Sequence, residues 1–353
     1  MDDESFEKLK RIVDTPGPSG YEQAVQKVFR EQISPYADEV HTDIMGSVIA
    51  AKNLKGNPRV MLAAHADEIG FIVRYINDDG TLYFGQIGGH DAVVTVGQRV
   101  NVHTEQGAIL GVLGRKAIHL LEQSERDKVP KTDDLWIDIG AENKKQAEEL
   151  VQIGDCVTYA QDLQKLHGYR ATARSFDNKM GCYVVSEALR LLQDKTLNCG
   201  VYGVATVQEE IGLRGARTTS YAINPTVGIA TDVCHAMDFP GAEKKRVGDI
   251  KLGAGAVVYR GANVNPKVFS LLVQAAKEEE IPIQILAAGG GTGTDGNAMQ
   301  INRAGMATGI ISVPLRYMHT PCEVMCLDDI DNAAKLMAAF CARVTPDIDW
   351  TPQ

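Results

Sequence analysis

With 353 residues, 44% of them hydrophobic and 23% charged, the chain has the make-up of a soluble globular protein and the length for one large or two moderate domains. Its 46 acidic against 36 basic residues leave a formal net charge of -10, which argues against nucleic acid or an anionic membrane surface as the main partner. The opening M-D-D-E-S-F-E-K-L-K reads as neither a secretory signal nor a transit peptide, no uncharged apolar run reaches membrane-spanning length, and the seven cysteines form no C-x-x-C pair. They read as reduced core thiols of a cytoplasmic protein.

In chain order, Ser5 to Val13 has helical periodicity and stops at T-P-G-P-S-G. Ser19 and Glu22 then have the spacing of a capping box for a second helix reaching about Ile33. Val60 to Ala64 is a short continuous apolar run, as expected of a strand covered on both faces. From about Gly70 to Asp162 the texture changes. F-I-V-R-Y-I, T-L-Y-F-G-Q-I, A-V-V-T-V-G-Q-R-V-N-V and A-I-L-G-V-L are strand-like runs separated by turn signals, the pattern of a small β-rich barrel or sandwich. Beyond Ala173 strands alternate with helices: Lys179–Gln193, Gly200–Val207, Thr226–Ala230, Pro266–Glu280 and Met306–Val313. The expected fold is α/β, a mostly parallel sheet with helices on both faces, interrupted by a β-rich insertion.

Four apolar strand candidates run into side chains with metal-ligand chemistry. V-M-L-A-A leads into His65-Ala66-Asp67, V-Y-G-V-A-T-V-Q into Glu209-Glu210, V-G-I-A-T into Asp232, and A-T-G-I-I-S-V-P-L-R-Y-M into His319. Ligands of open α/β sheets bind beyond the carboxyl ends of the strands, so these residues are expected to converge on one crevice. Asp177, in R-S-F-D-N-K-M-G ahead of a helix, is either a fifth ligand or a helix cap. Histidine and carboxylate without cysteine suit zinc, cobalt or manganese. Five ligands exceed what one catalytic zinc uses, and suit two ions sharing a bridging carboxylate about 3.5–4 Å apart. That count leaves Asp67 and one of the two glutamates without a metal. Asp67, two residues from His65 on an extended strand, shares its face and is placed to accept the imidazole N–H.

Taken in order, H-A-D-E-I-G, S-F-D-N-K-M-G, V-Q-E-E-I-G-L-R-G-A, A-T-D, G-T-D and R-Y-M-H-T resemble the motifs of the tetrahedral aminopeptidase and glutamyl aminopeptidase family of dinuclear metallopeptidases. S-G-Y-E near the start and D-D-L-W-I-D-I-G-A extend the resemblance nearly end to end. It implies a zinc-exopeptidase-type catalytic domain from residues 1–69 and 165–353, and a PDZ-like inserted domain, residues 70–164, used in subunit contacts. It also implies that Asp177 bridges two metals, that His65 and Asp232 complete one site and Glu210 with His319 the other, that Asp67 orients His65, and that Glu209 is the general base. The implied activity removes the N-terminal residue of short peptides with two divalent ions per subunit, zinc or cobalt before manganese. The implied assembly is a tetrahedral dodecamer or a dimer. The chain departs from the family pattern at Ala66, where methionine is common, at Asn178, where some members carry aspartate, and at Lys179, where arginine is common.

G-G-G-T-G-T-D-G, residues 289–296, contains G-x-G-x-x-G, but lies late in the chain and holds Asp295 where a pyrophosphate would sit. A tight turn or a substrate-facing loop, with Asp295 near the substrate amine, fits it better. Cys322 and Cys326 follow His319 but have no activating neighbour in sequence, so they read as packing residues. No G-x-S-x-G, H-E-x-x-H or Walker A pattern occurs. A related di-metal deacylase or amidohydrolase stays open, with a glycosidase and a non-enzymatic oligomeric binding protein behind it.

Overall fold

The computed structural model describes residues 1–352, the side chain of Glu125 excepted. At its centre four strands run parallel. Arg59–His65 lies between Gly200–Thr206 and Val227–His235, and Ala307–Arg316 flanks the last of these. Alternate residues of one strand serve different cores, as a period of two requires. Val60, Leu62 and Ala64 pack with the helices Phe176–Leu191 and Leu327–Arg343, whereas Met61 and Ala63 pack with Ala216, Ile223, Ala298 and Met299 on the other face. Both faces being covered explains why the strand sequence is apolar without alternation. Leu62 has no exposed surface, and its truncation to alanine costs about 2–5 kcal/mol in such a setting.

The sheet as a whole has 11 strands and is mixed, with its main parallel run in the middle. Glu39–Thr42 and Val48–Lys52 form an antiparallel margin beside Gly200–Thr206, and Glu323–Cys326 with Arg170–Ala173 form the opposite one. Ala256–Gly261 pairs antiparallel with Ala307–Arg316 and parallel with Ile283–Ala288. Glu39–Thr42 and Arg170–Ala173 are only four residues long and carry exposed positions, so a search for apolar runs passes over them.

The β-rich stretch forms a closed six-stranded barrel: Gly70–Ile76, Leu82–Ile87, Trp136–Asp138, Gly107–Gly114, Arg99–Thr104 and Cys156–Tyr159, in that neighbour order. It has its own core, built on Phe71, Phe84, Val100, Val102, Leu113, Ile137 and Val157. The run A-V-V-T-V is not a strand here. Asp91 caps a short helix, Ala92–Thr95, by accepting from the Val93 N–H at 2.9 Å, and extended structure begins only at Arg99. A cap and a turn outweigh the β-propensity of the valines.

The first two helices, Asp3–Asp14 and Gln23–Ile33, stand where expected, but the second has no capping box. Glu22 Oε1 accepts from the Gly20 and Gln208 N–H groups (2.8 and 3.0 Å), and Ser19 Oγ donates to Asp67 Oδ2 at 2.6 Å. Both residues are thus drawn toward the ends of the parallel strands. Among the described residues no helix is long and apolar enough to cross a membrane.

Candidate metal centre

His65 closes its strand in register with Thr206, and Asp232 lies on the next parallel strand, so the carboxyl side of the central strands gathers them. After Thr206 the chain leaves the sheet. Gln208 takes a left-handed backbone (φ +58°), which swings Glu209 and Glu210 onto a turn. His319 is also left-handed (φ +60°). Such conformations cost a non-glycine residue free energy and persist only where the surroundings impose them. The divergence of the two glutamates therefore comes from a turn and not from strand pleating.

Asp177 stands between the two imidazoles. Its Oδ1 is 3.2 Å from His65 Nε2 and its Oδ2 is 3.4 Å from His319 Nε2. His65 Nε2 also lies 3.8 Å from both Asp232 Oδ1 and Glu209 Oε2. His319 Nε2 lies 3.5 Å from Glu210 Oε2. One donor atom each of His65, Asp177 and Glu210 falls within a common 4.8 Å, as does one each of His65, Glu209 and Asp232. A buried and a half-buried imidazole converging with carboxylates at this spacing fit divalent cations in both chemistry and reach.

Asp67 is fully buried and does more than face His65. Its carboxylate accepts from Ser19 Oγ and from the backbone N–H groups of both Glu209 (3.0 Å) and Glu210 (3.1 Å). His65 Nδ1 is closer to the Asp67 carbonyl oxygen (3.1 Å) than to its Oδ1 (3.6 Å). The imidazole contact runs through the backbone, and the carboxylate pins the glutamate turn.

Protein charges alone leave this region strongly acidic. Burial, with Asp232, Asp295 and Glu210 nearby, pushes the Glu209 carboxyl up to about 10 against the opposing pull of His65. Burial and Asp177 push Glu210 to about 8. The hydrogen bond with Asp177 lifts His319 to about 9. Burial opposes protonation of His65, yet Glu209, Asp177 and Asp232 hold it well above its ordinary value. Burial also works against ionisation of Asp177, and its contacts with His319 and His65 outweigh that and hold it below the usual range. Carboxylates crowded out of water in this way favour a bound cation.

Three further residues escaped the sequence pattern. Glu323, 1% exposed, accepts from the backbone N–H of Asp177 (3.1 Å) and of His319 (3.2 Å), tying the central carboxylate to the second imidazole. Glu22 braces Gln208, and Ser19 braces Asp67. Spacing gives no cue for Glu323, while Ser19 and Glu22 carried a helix-cap cue that pointed elsewhere. Asp295 accepts from Thr206 Oγ1 at 2.5 Å and is buried outside the cleft lining; it is Thr292, Gly293 and Thr294 that line the cleft. Asn178 donates to the Thr231 carbonyl at 2.8 Å, and Ala66 is packed in the hydrophobic core. Lys179 is fully buried and turned away, bonding the Thr15 carbonyl and Glu68. Cys326 is buried, which raises its thiol, and Cys322 is exposed.

The barrel also reaches the centre. A methyl group added at Gly89 would stand 3.5 Å from His319 Nδ1, and one at Gly88 would stand 3.4 Å from Glu210 Oε2. The next residue, His90, stacks on Phe71 at 4.3 Å and bonds the Gly70 carbonyl at 2.8 Å. Burial lowers it to about 4, so it holds this loop as a neutral ring.

The family model of M42 glutamyl aminopeptidase matches residues 46–336. The lysyl aminopeptidase of Pyrococcus furiosus is 40% identical over 352 residues, covering 98% of this chain and 99% of its own. The glutamyl aminopeptidase of Lactococcus lactis is 29% identical, covering 96% of each. Among solved structures, a TET aminopeptidase from a marine-sediment Thaumarchaeota archaeon has a TM-score of 0.92 and 36% identity, covering 97% of both chains. The TET1 peptidase of Pyrococcus horikoshii, which can assemble into a tetrahedron or a large octahedral shell, has a TM-score of 0.86 and 33% identity, covering 96% of this chain and 100% of its own. The chain belongs to the M42 glutamyl aminopeptidase family and, as a member of it, is a metal-dependent aminopeptidase.

Proposed function

We propose that the chain removes the N-terminal residue of short peptides at a centre of two divalent cations. In this reading Asp177 bridges them, His65 and Asp232 hold one, and Glu210 and His319 hold the other. The observation that carries the reading is the placement of Asp177, one carboxylate oxygen toward each imidazole. The pairing of Glu210 with His319, and of Asp232 with His65, supports the same division. Zinc or cobalt is the preferred metal, with manganese as the alternative.

The cations, when bound, supply a Lewis acid for the scissile carbonyl and make water acidic enough to attack at neutral pH. Glu209 takes a proton from the attacking water and delivers it to the leaving amine nitrogen as the C–N bond breaks. Asp67 is a positioning residue that holds the turn carrying Glu209 and Glu210. The Gly88–Gly89 loop of the barrel closes the centre on the side of Glu210 and His319.

The barrel, as the inserted domain, also mediates self-association, a dodecamer before a dimer. Exposed Val93, Leu110, Val112, Ile118, Leu120 and Val129 support this, as does the shell-forming behaviour of the P. horikoshii relative. The test of the activity is chelation followed by refilling with zinc, cobalt or manganese. Cleavage of a free-amine peptide is expected to vanish and return with two equivalents of metal per chain by elemental analysis. An N-acetylated peptide cleaved at the same rate would select the deacylase or amidohydrolase reading instead.

A further inference from the structure

The cleft over the centre, about 250 Å³, has two chemically different sides. Carboxylates and imidazoles form one. Val247, Tyr259 and Leu286 form the other, with Met318 beside His319. Tyr259 and Leu286 are directly paired across the parallel strands Ala256–Gly261 and Ile283–Ala288, so their side chains leave the same face of the sheet. Both belong to a buried apolar cluster against which Val247 packs. The wall is therefore a fixed part of the core and not a loose surface patch.

Charge decides what this wall can accept. Among the described residues no lysine or arginine lines the cleft. Of the cations close in sequence to the lining, Arg260 lies over the Phe269 ring at 5.5 Å, Arg316 pairs with Asp238 at 2.8 Å and Lys244 with Asp249 at 2.7 Å, while Lys245 and Arg246 are exposed ahead of Val247 and do not line the cleft. Besides the two imidazoles of the centre, only His235 among the lining residues can carry a positive charge, and it is exposed. The lining acids are Asp177, Glu209, Glu210 and Asp232; in the proposed centre three of them hold metal and Glu209 handles the water proton. None is left to pair with a cationic side chain. Thr292 Oγ1 is already bonded to Asn263, Asn297 and Thr294.

Resting on the aminopeptidase reading above, we infer that the cleft selects peptides beginning with an apolar, leucine-like residue and rejects those beginning with lysine, arginine, aspartate or glutamate. A leucine side chain gains contact with Tyr259, Leu286 and Val247. A charged one is stripped of water against that wall without a partner, which is strongly unfavourable.

The test uses the intact, metal-refilled enzyme with leucyl, lysyl and glutamyl p-nitroanilides. The expected kcat/KM for the leucyl substrate exceeds the other two by on the order of 100-fold. A binding readout accompanies it: leucinamide raises the melting temperature of the Glu209→Gln holoenzyme at concentrations where lysinamide and glutamic acid α-amide do not. Val247→Asp, at a half-buried position, is expected to bring the lysyl substrate up at least tenfold relative to the leucyl one, with the melting temperature reporting that the variant is folded. Equal turnover of the lysyl or glutamyl substrate, or equal stabilisation by lysinamide, overturns the inference. Failure to cleave any of the three overturns the aminopeptidase reading and this inference with it.

Discussion

Two buried charge clusters share the segments His65–Glu68 and Arg174–Lys179, and they are built to opposite ends. In one, Glu68 accepts from Arg174 Nε at 3.1 Å and from Lys179 Nζ, while Arg174 also bonds the Asp14 and Gln161 carbonyls. Burial opposes the charge on Glu68, yet the two cations hold its carboxyl below the usual range, and burial brings Lys179 down to about 8. With Asp162 at 3.4 Å from Arg174 Nη1 as the second carboxylate, that cluster balances itself and ties the N-terminal segment to the strands on either side. In the other, His65 and His319 face Asp67, Asp177, Glu209, Glu210 and Asp232, an excess of carboxylates that the protein does not neutralise. A buried cluster balanced by its own side chains is structural, whereas one left acidic calls for cations from outside.

The largest effect expected from this contrast is at Asp177. Asp177→Ala removes the shared carboxylate, so turnover should fall by at least about 1,000-fold and bound metal below two per chain by elemental analysis. Full metal occupancy would refute the bridging role. Glu209→Gln should lower kcat by on the order of 100- to 10,000-fold while both metals stay. Loss of one metal equivalent would instead make Glu209 a ligand.

The balanced cluster should answer differently. Glu68→Gln leaves Lys179 and Arg174 buried against a neutral amide and should cost about 3–5 kcal/mol in denaturant unfolding, with the metal content of the folded fraction unchanged. Metal loss without a stability change would erase the distinction between the clusters. The smallest effect is at Ser19, whose hydroxyl holds Asp67. Ser19→Ala should reduce kcat/KM or metal affinity by about tenfold, and threonine at this position should recover most of it.

Much of this was legible in order along the chain. Apolar runs ending at His65, at Asp232, and shortly before Glu209 and His319 mark strands whose ends meet, because parallel strands covered on both faces have one polar end facing the crevice. The β-rich texture of the insertion likewise announced a separate small core. What stayed hidden depends on single backbone angles and distant pairings. Ser19 and Glu22 have the spacing of a helix cap, yet the side-chain bonds that fix them lead to Asp67 and to the Gly20 and Gln208 amides. Glu323 has no motif at all and is placed by the strand that follows His319.

The sequence by itself determined the residue types of the centre and the alternation of strands and helices that builds its sheet. Only the tertiary structure decided that Asp67 pins both glutamates, that the left-handed turn at Gln208 sets them apart, and that Glu68 with Lys179 belongs to a different cluster from its neighbours Asp67 and Asp177. Adjacent residues on an extended segment point to opposite sides, so one tetrapeptide, His65 to Glu68, serves both clusters. Which side holds the balancing charges depends on segments a hundred residues away, and no local pattern in the chain encodes that meeting.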